Sequence, residues 1–267
     1  MPLSGTGIAP TFVTVLLRGL LAGLVAGLLA GTFAYVVGEP HVEAAIAIEE
    51  AATHAEAAAD GHQHAEAVAD GHQHGEEALI GRNGQRGGLF LAIGLFGAAM
   101  GGLLASAYVL LARRRRRTDD DGRSGLLLAG GALLGAVIVP FLKYPPNPPA
   151  VGDPSTINQR TVTYLLMVVL GLVAVWSGSL GYRSVGERAP VWLRASAAVG
   201  GFLLVTVVSY VALPSFQEVP GDFPATLLWS FRLASLGTQM VLWTGIGLLF
   251  AALMHRQRAV ADARLAG

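Results

Sequence analysis

Six stretches of this chain, at roughly residues 12–37, 88–112, 125–143, 161–183, 191–213 and 225–254, are long and apolar enough to cross a hydrocarbon layer that takes about 20 helical residues. No other feature constrains the fold as tightly. In lipid every backbone polar group must be paired within the protein, and none of the six shows the period-two alternation of a barrel strand. The expected fold class is therefore an all-α integral membrane protein with six transmembrane helices, forming a single polytopic membrane domain over residues 1–267. Charged residues make up only 13% of the chain, too few for the surface of a water-soluble domain of this size. The first stretch is too long for a signal-peptide core and has no basic residues before it, so it is expected to stay as a span.

Inside the spans, glycines recur at helical spacing: Gly19, Gly23, Gly27 and Gly31 in the first, and Gly94, Gly97, Gly101 and Gly102 in the second. Small faces of this kind let helices approach closely, which is the expected role here. Arginine placement sets the expected topology. The second loop, the fourth loop and the C-terminal tail carry Arg113 to Arg117, Arg123, Arg183, Arg188, Arg256, Arg258 and Arg264, whereas the alternate loops hold only Arg82, Arg86, Lys143 and Arg160. By the positive-inside rule both termini are expected in the cytoplasm, with the first, third and fifth loops outside. The odd spans each begin near an arginine (Arg18, Arg123, Arg194) and are expected to end at Pro40, Pro145 and Pro214. Gly152-Asp153-Pro154 and Gly221-Asp222-Phe223-Pro224 then read as starts of the following helices, with Asp as N-cap and Pro in the first turn. Three tandem helical hairpins with pseudo-threefold symmetry are the expected arrangement.

Between the first two spans lies a histidine-rich stretch, 44–77, expected to be an outward-facing loop insertion. His54-Ala-Glu-Ala-Ala-Ala-Asp-Gly-His-Gln is repeated from His64 with a single change, and a third copy starts at His74 and stops. In extended backbone, Asp60, His62 and His64 share a face, as do Asp70, His72 and His74. Two imidazoles and a carboxylate per unit suit borderline divalent ions: Co2+, Ni2+, Zn2+ or Cu2+. The bland alternative is a low-complexity insertion whose histidines are solvated or respond to pH. With His54, these are the candidate collecting ligands.

A second candidate set lies at the outer helix ends. Glu39 and His41 leave span one, Asp153 and Glu218 lie in outer loops, and Asp222 precedes span six; together they are expected to ring a mouth braced by Lys143-Tyr-Pro-Pro-Asn-Pro-Pro. Arg232 falls two turns into span six, with Asp222 or Glu218 as its natural partner. Met100, Met167 and Met240 are expected to pack rather than to line a path.

Several function classes are excluded or disfavoured. There is no cysteine, hence no disulfide, thiolate site or cysteine nucleophile. The glycines of Gly81-Arg-Asn-Gly-Gln-Arg-Gly-Gly lack the Lys and Ser/Thr of a phosphate loop, and no His-Glu-x-x-His occurs, so neither an ATPase nor another enzyme is expected. The one basic run abuts an apolar span, so no nucleic-acid partner is expected either.

The run Phe141-Leu-Lys-Tyr-Pro-Pro-Asn-Pro-Pro-Ala-Val-Gly-Asp-Pro, with Glu39-Pro-His and Asp222-Phe-Pro followed by Trp229-Ser-Phe-Arg232, resembles the CbtA family of cobalt transporter subunits. The resemblance implies a multi-pass bacterial inner-membrane protein tied to cobalt supply for cobalamin. It also implies a small single-span, histidine-bearing partner, CbtB. It supplies no ligand residues. The expected function is a membrane component of divalent metal uptake, with Co2+ favoured over Ni2+ or Zn2+ and no other cofactor. Two readings stay open beside it: a non-transporting metal-binding or scaffold subunit that serves another permease, and a pH or metal sensor. A homo-oligomer is also left open.

Overall fold

The computed structural model describes the backbone of residues 11–60, 82–115 and 121–266, and side chains over 11–54, 87–112 and 122–255. Among the described residues the chain is helical, with no strand, and six helices are long and apolar enough to cross a membrane. Helix α1 (Phe12–Phe33) runs through a π turn (Ala34–Gly38) into α2 (Glu39–Asp60). Next come α3 (Arg82–Arg115), then α4 (Asp121–Ala132), which passes through a second π turn (Leu133–Ile138) into α5 (Val139–Lys143). A 3-10 turn (Pro154–Thr156) opens α6 (Ile157–Ser184), and α7 (Val191–Ala212) and α8 (Ala225–Ala266) complete the chain.

The expected helix end at Pro40 is not there. Proline lacks an N–H and its ring presses on the carbonyl four residues back, which normally breaks a helix. Here the π turn lies just upstream, and the Glu39 amide bonds to the Ala34 carbonyl five residues earlier. The widened turn makes room for the ring, so the helix continues to Asp60. Span three repeats the device: the Val139 amide reaches the Leu134 carbonyl and Pro140 follows. Pro40 is thus matched by Pro140, in mid-helix, while Pro145 and Pro214 follow helix ends. Residues 44–60, expected as the start of a loop, are helical because their Ala and Glu residues favour it. From Phe12 to Asp60 the helix is about 70 Å long, against about 30 Å of hydrocarbon. Most of α2 therefore stands clear of a bilayer.

Hydrophobic burial does not drive helices together in lipid, so close backbone contact has to do it. Along the α1–α3 seam a Cβ on Gly23 would run into the Gly97 carbonyl oxygen, and one on Gly101 into that of Gly19. Gly135 and Gly171 meet in the same way between the π turn of span three and α6. Helix α8 lies against α1, with Gly245 over Ala26, and against α4, with Gly247 over Ala129. The main core, around Ala22, Ala26, Leu242, Ile246 and Phe250, sits among α1, α3, α4 and α8. Helix α7 packs along α6, where Gly181 meets the Ala197 carbonyl.

The spans therefore pack in the order two, one, six, three, four, five. Among the described residues α7 and α8 do not pack along their lengths, so spans five and six do not form a third self-packed hairpin. The three glycine-bearing seams, between spans one and two, three and four, and four and five, belong to spans that can meet with little side chain between them. Helix α8 instead serves both preceding pairs, its small residues turned toward α1 and α4. At one end of the bundle Arg18 Nη1 lies 3.8 Å from Met254 Sδ, so the chain's two terminal helices meet there.

Candidate functional site

The other end of the bundle carries a polar cap, assembled from the 144–153 and 213–224 loops and the first turns of α2, α6 and α8. It begins where α5 stops. Lys143 donates to the Tyr210 carbonyl at 2.8 Å and to Ser215 Oγ at 3.1 Å. Tyr144 donates its hydroxyl to the Pro214 carbonyl, and Tyr210 bonds the Val139 carbonyl at 2.6 Å. These bonds tie the ends of span three and span five together across the cap. The proline run then passes over α8, where Arg232 holds it from below: Nε donates to the Pro146 carbonyl at 3.3 Å and Nη2 to Asn147 Oδ1 at 2.9 Å. The partner expected for Arg232 was a carboxylate, Asp222 or Glu218. The proline loop takes that place because it descends directly onto the second turn of α8.

The chain turns twice in left-handed backbone, at Ala150 (φ 66°) and Gly152 (φ 136°). A Cβ at Gly152 would lie 2.6 Å from Arg160 Nη1, so the guanidinium packs where a side chain would stand. Asp153 caps the next helix as its sequence implies, its Oδ1 accepting from the Ser155 amide at 2.8 Å. Glu218 closes the turn. Its Oε1 accepts from the Thr156 hydroxyl at 2.6 Å, and its Oε2 from the Asp153 amide at 3.0 Å and from Arg160 Nη1 at 2.9 Å. The Thr156 hydroxyl, then the Asp153 amide and Arg160, hold the Glu218 carboxyl below its ordinary value. Asp153 is lowered as well, by Ser155 first and then by Arg160. Both are ionised and engaged in holding the cap.

Two cavities open within this cap. One, of about 470 Å3, lies between the proline run, α6 and the 213–219 loop, and is lined by Lys143, Arg160, Arg232 and Glu218 among mostly apolar walls. The other, of about 440 Å3, lies beside α2 and includes Glu49, Thr53, Gly152 and Asp222. Between the α2 side and the loops, Ala45, Val151 and Phe223 form a small apolar contact that seats the first turns of α2 on the cap.

The candidate metal ligands are spread across this end. Glu39 and His41 are half-buried at the start of α2; two apart on a helix, they point to different sides. His54 is exposed further along α2 and Asp60 is its last residue. His62, His64, Asp70, His72 and His74 lie outside the described residues. Asp222 is exposed, and it is not the N-cap: the Leu228 amide bonds the Pro224 carbonyl, so Pro224 precedes the helix and Asp222 sits in the turn before it. Among the described residues no three His, Asp or Glu side chains stand close enough to hold one metal ion. Met100 packs against the main core, Met167 is fully buried and Met240 is exposed.

Sequence reasoning missed the roles of Asn147, Tyr210 and Thr156. Each acts through a partner more than 60 residues away along the chain, and only the proline run hinted that a rigid loop needed anchors. Residues 12–255 match the model of one protein family, described as "Probable cobalt transporter subunit (CbtA)". No curated protein and no solved structure matches the chain.

Proposed function

The chain belongs to the CbtA family, and from that premise we propose that it is the membrane-embedded component of a divalent-cation uptake system whose cargo is cobalt. The family match, which extends over all six spans, carries this reading. The arginine-rich ends of the spans lie in the cytoplasm and the polar cap faces outward, in the inner membrane of a bacterial cell. His54, Asp60, His62, His64, Asp70, His72 and His74 collect the ion on and beyond the protruding α2. Glu39, His41 and Asp222 line its approach to the bundle. Asp153, Glu218 and Arg232 shape the cap through which that approach passes. A divalent cation moving inward down a membrane potential gains about 4.6 kcal/mol per 100 mV, enough to drive accumulation without a nucleotide site. A small histidine-bearing CbtB-type subunit is the proposed partner.

A second reading is favoured by one observation: no three-ligand cluster forms among the described residues. Under it the chain delivers metal to another permease and conducts none itself. Radiolabelled cobalt uptake in cells with and without the chain tests the first reading, which predicts a clear loss at limiting cobalt; equal uptake rejects it. Purified chain in proteoliposomes separates the two, because flux supports the first and binding without flux the second.

A further inference from the structure

The larger cap cavity has the wrong charge for a bare cation. Three of its lining side chains, Lys143, Arg160 and Arg232, are cationic, against one carboxylate, Glu218. That carboxylate is already taken by Arg160, Thr156 and the Asp153 amide. Among the described residues Lys143 and Arg232 bond only neutral oxygens: two carbonyls, a hydroxyl and an amide. Arg160 Nε is shut off from solvent with no acceptor at all. Cations held at a membrane boundary without counter-charge are costly, and an anion seated among them removes that cost.

Size and walls narrow the choice of anion. A cavity of about 470 Å3 is roomy for a bare phosphate and falls within the range that holds organic ligands. Its walls include Val151, Phe216 and Val219, and it opens past Ile157, Tyr164 and Leu165 of α6. Leu165 is 57% exposed and Val162, about one helical turn nearer the start of α6, 65% exposed, so the opening continues onto the lipid-facing surface of span four. Tyrosine at such a boundary is characteristic of the headgroup layer.

We propose that this cavity binds the phosphate of a phospholipid headgroup, on Lys143, Arg160 and Arg232, with the acyl chains laid along α6. Lysine and arginine both grip phosphate oxygens through charge-assisted bonds. The lipid stiffens the junction of spans three, four and six. This assignment does not depend on the identity of the cargo.

The test uses the full chain purified in detergent. Native mass spectrometry counts retained phospholipid, and melting is followed with added phosphatidylglycerol or, at equal concentration, glycerol 3-phosphate. Retained lipid and a melting temperature raised by several degrees with phosphatidylglycerol alone are expected. Lys143→Gln is expected to weaken retention about tenfold, and Lys143→Arg to restore it. Thr161→Trp, which narrows the opening without touching a charge, is expected to expel the lipid even where Lys143→Gln folds poorly. Equal stabilisation by glycerol 3-phosphate overturns the lipid source. Absence of any retained lipid, or full retention by Thr161→Trp, overturns the site.

Discussion

The seam between α1 and α3 and the polar cap hold different spans of the bundle together by opposite means. In the seam, backbone meets backbone: Gly19, Gly23, Gly97 and Gly101 leave no room for even a methyl group, and nothing polar is required. In the cap, long side chains reach across gaps, as Arg232 does to Pro146 and Asn147, and Glu218 to Thr156, Asp153 and Arg160. A seam of that kind fails all at once when one position is filled. A cap of that kind loosens by degrees, bond by bond.

The sharpest way to break the comparison is to fill the seam. Gly23→Leu must push α1 from α3 by the width of a side chain, at a cost of about 3 kcal/mol or more. Loss of the monodisperse species on size-exclusion chromatography is the expected outcome, and a normal elution profile would show that the seam tolerates spreading. Next in size, Arg232→Gln strands the proline run. Its charged hydrogen bonds contribute about 2 kcal/mol, and hydrogen exchange is expected to rise across 144–153 while the α1–α3 seam stays protected. Rising exchange in both regions would show that cap and seam are one unit.

Acid probes the same cap more gently. The carboxyls of Glu218 and Asp153 are lowered in the folded chain, so their contribution is complete above the ordinary carboxylate range and is lost as pH falls below it. Exchange at the Asp153 amide, corrected for its intrinsic rate, is therefore expected to be level from pH 7 to about 5 and to climb only below about 4. Glu218→Gln should show the raised rate at every pH. The smallest effect on the fold is expected from deleting residues 62–74. Melting should be unchanged, with cobalt uptake reduced only when the metal is scarce; uptake abolished at high cobalt would move the selective step into that segment.

Much of the seam was legible in the sequence, because glycine spacing maps directly onto a helix face. Gly19, Gly23 and Gly27 announce a close contact, and a partner stripe at Gly94, Gly97 and Gly101 lies on the adjacent span. The six spans were legible for the same reason, since length and hydropathy are local properties. The cap was not. Arg232 gave no sign that its acceptors lay some 85 residues upstream, and nearby carboxylates were the obvious but mistaken choice. Pro40 misled for a different reason: a proline terminates a helix unless the turn before it has widened, and no residue in Ala34–Gly38 advertises that widening. The order of spans failed at the third pair. Chain order suggested that spans five and six form a hairpin, whereas α8 has its small residues turned toward α1 and α4.

The two widened turns also act as an angular setting. A π turn takes up about one residue more than an α turn, so everything after it is rotated by about 100° from where an unbroken α-helix would place it. Downstream of Ala34–Gly38, that rotation brings Ala45, fully buried, between Val151 and Phe223. Removing a single residue such as Val36 would restore an ordinary screw and swing this face of α2 away from the cap. Most loops of a membrane protein absorb a residue gained or lost without consequence. Here one residue sets the direction in which the whole protruding helix, with His54 on its outer half, is aimed.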